Sequence, residues 1–194
     1  ASLSPAQIAA EITSNLDFLI SKRRDLPERH RGIRALMDYT WTSLNAIERS
    51  VLMGLSVFRG GFDLKAAEAV TGGGWSTIAR FVDKSLVRRD TPTRYSMHEL
   101  MRRYAYQKLT TASNAGLIHT MHCDYFLDWL LASDGTANYT DFYEQIDADY
   151  DNIRQALNWC KSTDDRKTLG AYCQVLDEYW LARDRVTAGY LWLM

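Results

Sequence analysis

Residues 86–100, LVRRDTPTRYSMHEL, form the stretch that decides the fold. Residues 86–89 and 94–97 are short runs that suit β-strands, and residues 90–93 between them contain the proline and polar side chains of a turn. The pattern predicts a β-hairpin. Apolar residues recur at helical spacing directly after His98, so the second strand is predicted to run into a helix.

Three predicted helices precede this hairpin. Asn45 and Glu48 have the spacing of an N-terminal capping pair, which places the start of one helix there. Asp63 is predicted to cap the next helix, and a third is predicted over residues 75–85 after a run of three glycines. The order helix, helix, helix, hairpin is that of a winged helix.

Further helices are predicted on both sides of this unit. Ile8 and Ile20 bound an amphipathic pattern near the N-terminus. After residues 113–116, which are predicted to end the helix that follows His98, the pattern indicates paired helices. These cover residues 117–132, 142–161 and 166–181, and a last one runs from about 186 to 194. A helix that is unfinished at the last residue predicts that the natural protein continues with more helix pairs.

The charge is unevenly distributed along the chain, although its 194 residues carry a net charge of only −1. Residues 75–109 are rich in arginine and lysine, whereas residues 110–153 contain aspartate and glutamate but neither basic residue. The basic stretch could bind nucleic acid, and the acidic stretch could instead provide an internal docking surface for it.

Several classes of protein are disfavoured by the sequence. No apolar run approaches the roughly 20 residues that span a bilayer, and no leader pattern is present, so a cytoplasmic protein without membrane contact is predicted. Cys123, Cys160 and Cys173 are widely spaced, which favours neither a disulfide framework nor a zinc site. His119 and His122 lack further ligands at metal-binding spacing, so no metal site is predicted. No nucleophile, base and orienting group occur together at a recognisable spacing, so the chain is not expected to be an enzyme.

Several separated motifs, in this order, resemble one family. They are LPERHRGIRA at 26–35, LSVFRGGF at 55–62, AAEAV at 66–70, VDKSLV at 82–87, MHEL at 97–100 and DYDNIRQAL at 149–157. The chain is similar to bacterial signal-transduction ATPases with numerous domains (STAND), NB-ARC-like regulators of the LuxR and SARP types. The resemblance covers nearly the whole chain.

The resemblance implies a mainly α-helical fold of three parts. Residues 1–30 would be a lid-helix remnant and linker, residues 31–112 a winged helix with its short β-hairpin, and residues 117–194 the first tetratricopeptide-like α-hairpins of a sensor arm. In the family, an ATPase core with a phosphate-binding loop precedes these parts. No such loop motif occurs here, since residues 72–77, GGGWST, lack its lysine. The chain is therefore expected to hold no cofactor itself, while the full-length protein would bind ADP or ATP.

Met97, His98 and Glu99 match the family's Met-His-Asp motif, whose histidine touches the β-phosphate of ADP. In this sequence glutamate replaces the aspartate. A histidine at a helix start can donate to an anion that the helix N-terminus attracts. The three residues are thus the candidate nucleotide sensor, although a capping or packing histidine would look the same in sequence.

A second candidate site is a basic surface for DNA or for another part of the same protein. A winged helix that reads DNA places its third helix in the major groove. Asp83 and the apolar pair Phe81 and Val82 weaken the DNA interpretation, so internal docking is favoured. The basic residues of this candidate surface are Arg80, Lys84, Arg88, Arg89 and Arg94.

The predicted function is that of a regulatory segment in a nucleotide-dependent switch, acting in transcriptional regulation in the full-length protein. Its partners would be the nucleotide-binding domain of the same protein and a protein or small-molecule effector on the helical repeats. The alternative is a winged-helix DNA-binding module with a helical dimerisation or effector domain.

Overall fold

The computed structural model describes residues 28–133 and 139–185, together with the single positions 187, 189 and 192. This part of the chain is mainly α-helical and contains one two-stranded antiparallel sheet, which confirms the predicted fold class. The predicted helix between Ile8 and Ile20, and most of the predicted last helix, lie outside the described residues.

Eight helices and two strands make up the described part. In chain order they are α1 (Glu28–Thr42), α2 (Ala46–Leu55), α3 (Leu64–Thr71), α4 (Trp75–Asp83), β1 (Val87–Arg89), β2 (Tyr95–Met97), α5 (Glu99–Leu109), α6 (Ala115–Ser133), α7 (Tyr139–Ser162) and α8 (Arg166–Ala182). We call residues 28–109 the hairpin unit and residues 115–182 the helical arm.

The predicted caps set the starts of α2 and α3. Asn45 Oδ1 accepts a hydrogen bond from the Glu48 N–H at 2.9 Å, and Glu48 Oε2 accepts one from the Asn45 N–H at 2.8 Å. Asp63 Oδ1 accepts from the Ala66 N–H at 2.7 Å. Both caps satisfy N–H groups that the helix leaves without partners.

The predicted hairpin is present. Val87 pairs with Met97 and Arg89 with Tyr95, in antiparallel register. Phe62, in the loop after α2, adds an isolated bridge to Tyr95, with two backbone hydrogen bonds of 2.8 Å. This bridge fixes the loop of residues 59–62 against the second strand.

Three helix ends differ from the predicted ones. α1 already includes Glu28, so residues 28–30 of the segment interpreted as a linker are helical. α4 ends at Asp83 and not at residue 85, since Ser85 has a positive φ of 57°. Residues 113–116 do not simply end a helix: the Ile118 N–H donates to the Asn114 carbonyl at 3.1 Å, and α6 begins at Ala115 and not at residue 117.

The hairpin unit and the helical arm share one apolar core. Phe58, which follows α2, has its ring centroid 5.2 Å from that of Phe62 and 6.3 Å from that of Phe126 on α6. The three side chains are buried. Within the described residues, no helix combines the length and apolar character needed to cross a bilayer.

Candidate functional site

His98 lies between β2 and α5 and is the N-cap residue of α5. Its Nδ1 accepts a hydrogen bond from the Leu100 N–H at 3.3 Å, and its side chain is exposed. When one nitrogen of a neutral imidazole accepts, the other carries the proton, so Nε2 is the donor. The loop therefore presents an N–H group beside the positive end of α5, where an anion is favoured.

Met97 and Glu99 have different surroundings from His98. Met97 is half-buried at the end of β2 and packs against the core. Glu99 receives two hydrogen bonds of 2.7 Å from Arg102 and a third, also 2.7 Å, from Arg103. The Glu99 carboxylate is thus engaged by two arginines one helical turn away.

The arginines around Glu99 were given no role by the sequence analysis. Arg102 is buried and also donates to the Ser56 carbonyl at 3.2 Å. Arg59 lies over the ring of Tyr106, with its Cζ 5.8 Å from the centroid. Burial lowers the pKa of Arg59, and the charge of Glu99 partly opposes that effect. The spacing of Glu99 to Arg102 and Arg103 is a sequence signal for ion pairs on a helix, whereas nothing local indicates Arg59.

A cavity of about 350 Å³ opens beside this arginine cluster. The arginines in its lining, Arg59, Arg88 and Arg102, outnumber the carboxylates of Asp90 and Glu99. His98 is not among the described residues that line it. The cavity, whose lining carries one more positive than negative side chain, and the exposed face of His98 are therefore separate features.

Arg80 and Lys84 of the predicted basic surface both contact Glu48. Arg80 donates to Glu48 Oε1 at 2.6 Å and Lys84 to the same atom at 3.4 Å. Glu48 is buried, and its pKa is lowered by the Asn45 N–H first and by the two cations in addition. Arg80 on α4 and Lys84 directly after it therefore neutralise a buried carboxylate of α2.

Arg88 and Arg89 lie at the hairpin turn. Arg88 donates to Asp90, and Arg89 donates to the carbonyls of Thr91 and Pro92 at 3.2 and 2.6 Å. Both arginines are exposed. Arg88 and Arg89 therefore lie together at the turn. Their hydrogen-bond partners there differ from Glu48, the partner that Arg80 and Lys84 share.

Arg94 contacts the helical arm. Its guanidinium donates to both carboxylate oxygens of Asp149 on α7, at 2.8 and 2.7 Å, and to the Ala148 carbonyl at 2.9 Å. The pKa of Arg94 is raised, with its hydrogen bonds to the Asp149 carboxylate as the main cause. The acidic stretch thus provides an internal partner for one of the five predicted basic residues.

Asn152 completes this contact from the next turn of α7. Its Oδ1 accepts from the Arg59 N–H at 2.6 Å, and its Nδ2 donates to the Gly61 carbonyl at 2.9 Å and to Asp149 at 2.8 Å. The side chain is fully buried. We call Arg94, Asp149 and Asn152 the junction, because they connect the hairpin and the 59–62 loop to α7.

With this geometry described, the chain can be compared with known proteins. It is 30% identical over 204 residues to proteins from Mycobacterium tuberculosis and Mycobacterium bovis named "Putative HTH-type transcriptional regulator". The match covers 98% of this chain and 23% of each relative, so the chain spans about a quarter of their length. Over nearly its whole extent, the chain is therefore similar to one part of larger bacterial regulators.

Other comparisons add less. An uncharacterised Mycobacterium tuberculosis protein is 28% identical over 127 residues, which cover 60% of this chain and 32% of that protein. A solved structure from Pyrococcus horikoshii, described as a STAND protein with a tetratricopeptide repeat sensor, covers 99% of this chain and 38% of its own. Its TM-score is 0.45 at 12% identity. No model of a known protein family matches the chain.

Proposed function

We propose that this chain is the regulatory part of a STAND-type, nucleotide-dependent signalling protein. In this proposal the loop of Met97, His98 and Glu99 contacts the phosphate of ADP bound to another domain of the same protein, and the helical arm responds to a signal. The observation that carries the proposal is the exposed imidazole of His98 at the N-terminus of α5, where its Nδ1 accepts from the Leu100 N–H. The chain would itself be catalytically silent, because the nucleotide-binding domain would supply the ATPase machinery.

The chemistry of His98 suits a switch better than a high-affinity site. A hydrogen bond to a charged phosphate contributes about 1.5–3 kcal/mol, which corresponds to roughly a 10- to 100-fold change in an equilibrium constant. That free energy is enough to bias a two-state equilibrium toward the ADP-bound state. It is too small to hold a nucleotide without other phosphate ligands, so the isolated chain is expected to bind ADP weakly.

Glu99, which replaces the aspartate of the family motif, is compatible with a phosphate nearby. A free carboxylate next to His98 would repel the anion. Arg102 and Arg103 both donate to Glu99, so the pair of arginines exceeds its charge by one. The local balance therefore favours an anion at the start of α5.

The junction supports a role for the helical arm. Arg94 immediately precedes β2, and β2 leads into His98 within four residues. Because Asp149 holds Arg94, a displacement of α7 would act on the strand that positions His98. We therefore infer that a protein or small-molecule effector bound to the arm would weaken the contact between His98 and ADP. Similarity to proteins named as transcriptional regulators supports such a regulatory role, with transcription as its output.

The test uses the full-length protein loaded with a fluorescent ADP analogue. We expect His98→Ala to release the analogue about 10- to 100-fold faster, in line with the loss of one charge-assisted hydrogen bond. Gln107→Ala, at an exposed position on the same helix, is the matched control and should release it at the wild-type rate. Equal release rates for the His98 variant and the control would reject the sensor role.

DNA binding is the second candidate function, and the exposure of the basic side chains favours it. The side chain of Arg88 is 79% exposed, and that of Arg80 remains 56% exposed despite its contact with Glu48. Fluorescence anisotropy of duplex DNA with this chain, measured at low and high salt, tests the idea. Nanomolar affinity that falls steeply with salt, and that is lost in Arg88→Ala/Arg89→Ala, would favour a DNA-binding module over internal docking.

A further inference from the structure

Two cysteine sulfur atoms meet between the first two helices of the arm. Cys123 Sγ on α6 lies 3.1 Å from Cys160 Sγ on α7, and both residues are free thiols. A disulfide has an S–S distance of about 2.05 Å, so a relative shift of about 1 Å would bring the two atoms to bonding distance. The residues are 37 positions apart, and their spacing in the sequence gave no indication of this contact.

The surroundings hold this pair in place. The Tyr172 hydroxyl of α8 donates to the Cys123 carbonyl at 2.5 Å, and Cys123 Sγ lies 3.8 Å from the Ala156 carbonyl on α7. Cys123 and Cys160 are 3% and 1% exposed. Because both side chains are enclosed by three packed helices, their sulfur atoms cannot easily separate.

A cavity gives one of the two thiols a route to small molecules. It has a volume of about 460 Å³ and is lined by Cys160 and Cys173, with Lys161 and Arg166 among its polar residues. Cys123 is not among its described lining residues. A molecule as small as a hydroperoxide that enters the cavity would therefore reach Cys160 before Cys123.

The hydrogen bond within the pair also distinguishes the two thiols. The contact between the two sulfur atoms, and burial in addition, raise the pKa of Cys123, whereas the same contact lowers the pKa of Cys160. A thiolate is the form of cysteine that attacks an oxidant. Access and acidity thus both favour Cys160 as the first residue to react.

We propose that Cys123 and Cys160 form an oxidisable pair, in which hydrogen peroxide oxidises Cys160 and Cys123 then completes a disulfide between α6 and α7. In the first step the Cys160 sulfur attacks one peroxide oxygen, the O–O bond breaks, and the leaving hydroxide takes up a proton to form water. In the second step the Cys123 sulfur attacks the Cys160 sulfenic acid, the S–O bond breaks, and a second water leaves with the Cys123 proton. Two thiols lose two electrons and two protons, and the peroxide is reduced to two waters.

The test treats the native chain with hydrogen peroxide, unfolds it, and alkylates the remaining thiols. We expect the number of alkylated cysteines to fall from three to one, with Cys173 as the one that remains. Intact mass should drop by two hydrogen atoms before alkylation, and a peptide map should show Cys123 linked to Cys160. Dithiothreitol should restore all three thiols.

Variants separate the roles of the three cysteines. Cys173→Ser should form the same disulfide, whereas Cys123→Ser should stop at a Cys160 sulfenic acid that dimedone labels. Three alkylated cysteines in the wild-type chain, after an exposure that fully oxidises a peptide thiol, would overturn the proposal. A Cys160–Cys173 linkage would overturn it as well. Both readouts come from the wild-type chain, so they decide the question even where a variant does not fold.

Discussion

Arg94 and Asp149, which are 55 positions apart in the sequence, form two hydrogen bonds of 2.8 and 2.7 Å between guanidinium and carboxylate. Their side chains are only 22% and 19% exposed, so water screens the pair less than a surface ion pair. The contact joins the turn before β2 to the arm helix α7. The hairpin and α7 are therefore expected to move as one body.

A double-mutant cycle measures the strength of this contact. Arg94→Ala, Asp149→Ala and the double variant should give a coupling free energy of about 1–3 kcal/mol in urea unfolding. That value is expected for a partly buried ion pair with two hydrogen bonds. The matched control is Arg154 and Asp151 on the same helix, whose side chains are 55% and 62% exposed. Their coupling should be at most about 0.5 kcal/mol. Similar couplings for the two pairs would show that the junction has no special strength.

Asn152 is expected to contribute more than its size suggests. Its side chain satisfies the Arg59 N–H and the Gly61 carbonyl, so Asn152→Ala would leave both backbone groups without a partner. We expect the free energy of unfolding to fall by about 2–4 kcal/mol. Asn158→Ala, at an exposed position on α7, should change it by less than about 0.5 kcal/mol. Equal unfolding midpoints for the two variants would contradict the role assigned to Asn152.

The sequence correctly predicted the structural elements that are determined by residues close together in the chain. The capping pair of Asn45 and Glu48, the Asp63 cap and the hairpin are all present, because each depends on residues within a few positions of one another. The α5 to α6 connection was predicted less well. Asn114 supplies the first carbonyl of α6, and composition alone does not reveal which residue of a polar segment takes that role.

The candidate site was predicted only in part, for a related reason. His98 lies at the start of a helix as expected, since the N-terminal position follows from the local pattern. Arg80 and Lys84 were grouped with Arg94 by charge, yet Glu48 binds the first two and Asp149 the third. Which acidic partner each cation meets depends on tertiary packing, and periodicity carries no information about it. The contact of Cys123 with Cys160 could not be predicted from spacing either.

The burial of His122 predicts that the stability of the folded chain depends on pH. Its ring packs between Phe58 and Phe126, with centroids 5.0 and 4.9 Å away, and burial lowers its pKa to about 3. The pKa in the unfolded chain is about 6.5. As the pH falls below 6.5, the unfolded chain binds the proton and the folded chain does not, so stability is lost between pH 6.5 and 3.

The magnitude can be checked against a variant that does not titrate. From pH 7.5 to 5.0, His122 should lower the free energy of unfolding by about 2 kcal/mol. His119, whose pKa burial also lowers, acts in the same direction, so the relevant quantity is the difference between the wild-type chain and His122→Phe. Urea midpoints at the two pH values give this difference. A His122→Phe slope equal to that of the wild-type chain would contradict the argument.

Gly61 is predicted to be essential for the bridge between the 59–62 loop and β2. Its φ is +101°, and a Cβ atom there would lie 2.8 Å from the Tyr95 carbonyl oxygen, which itself accepts the Phe62 N–H. Gly61→Ala therefore combines backbone strain with a clash against a backbone atom, and should lower the free energy of unfolding by about 2–4 kcal/mol.

Gly170→Ala is the matched control, because it lies within α8 with no atom within 4 Å of the added Cβ. That variant should gain about 0.5–1 kcal/mol, since alanine favours the helix interior. Opposite shifts of the urea midpoint are thus expected for the same chemical change, and a stabilising effect of Gly61→Ala would mean that the loop does not hold this conformation against β2.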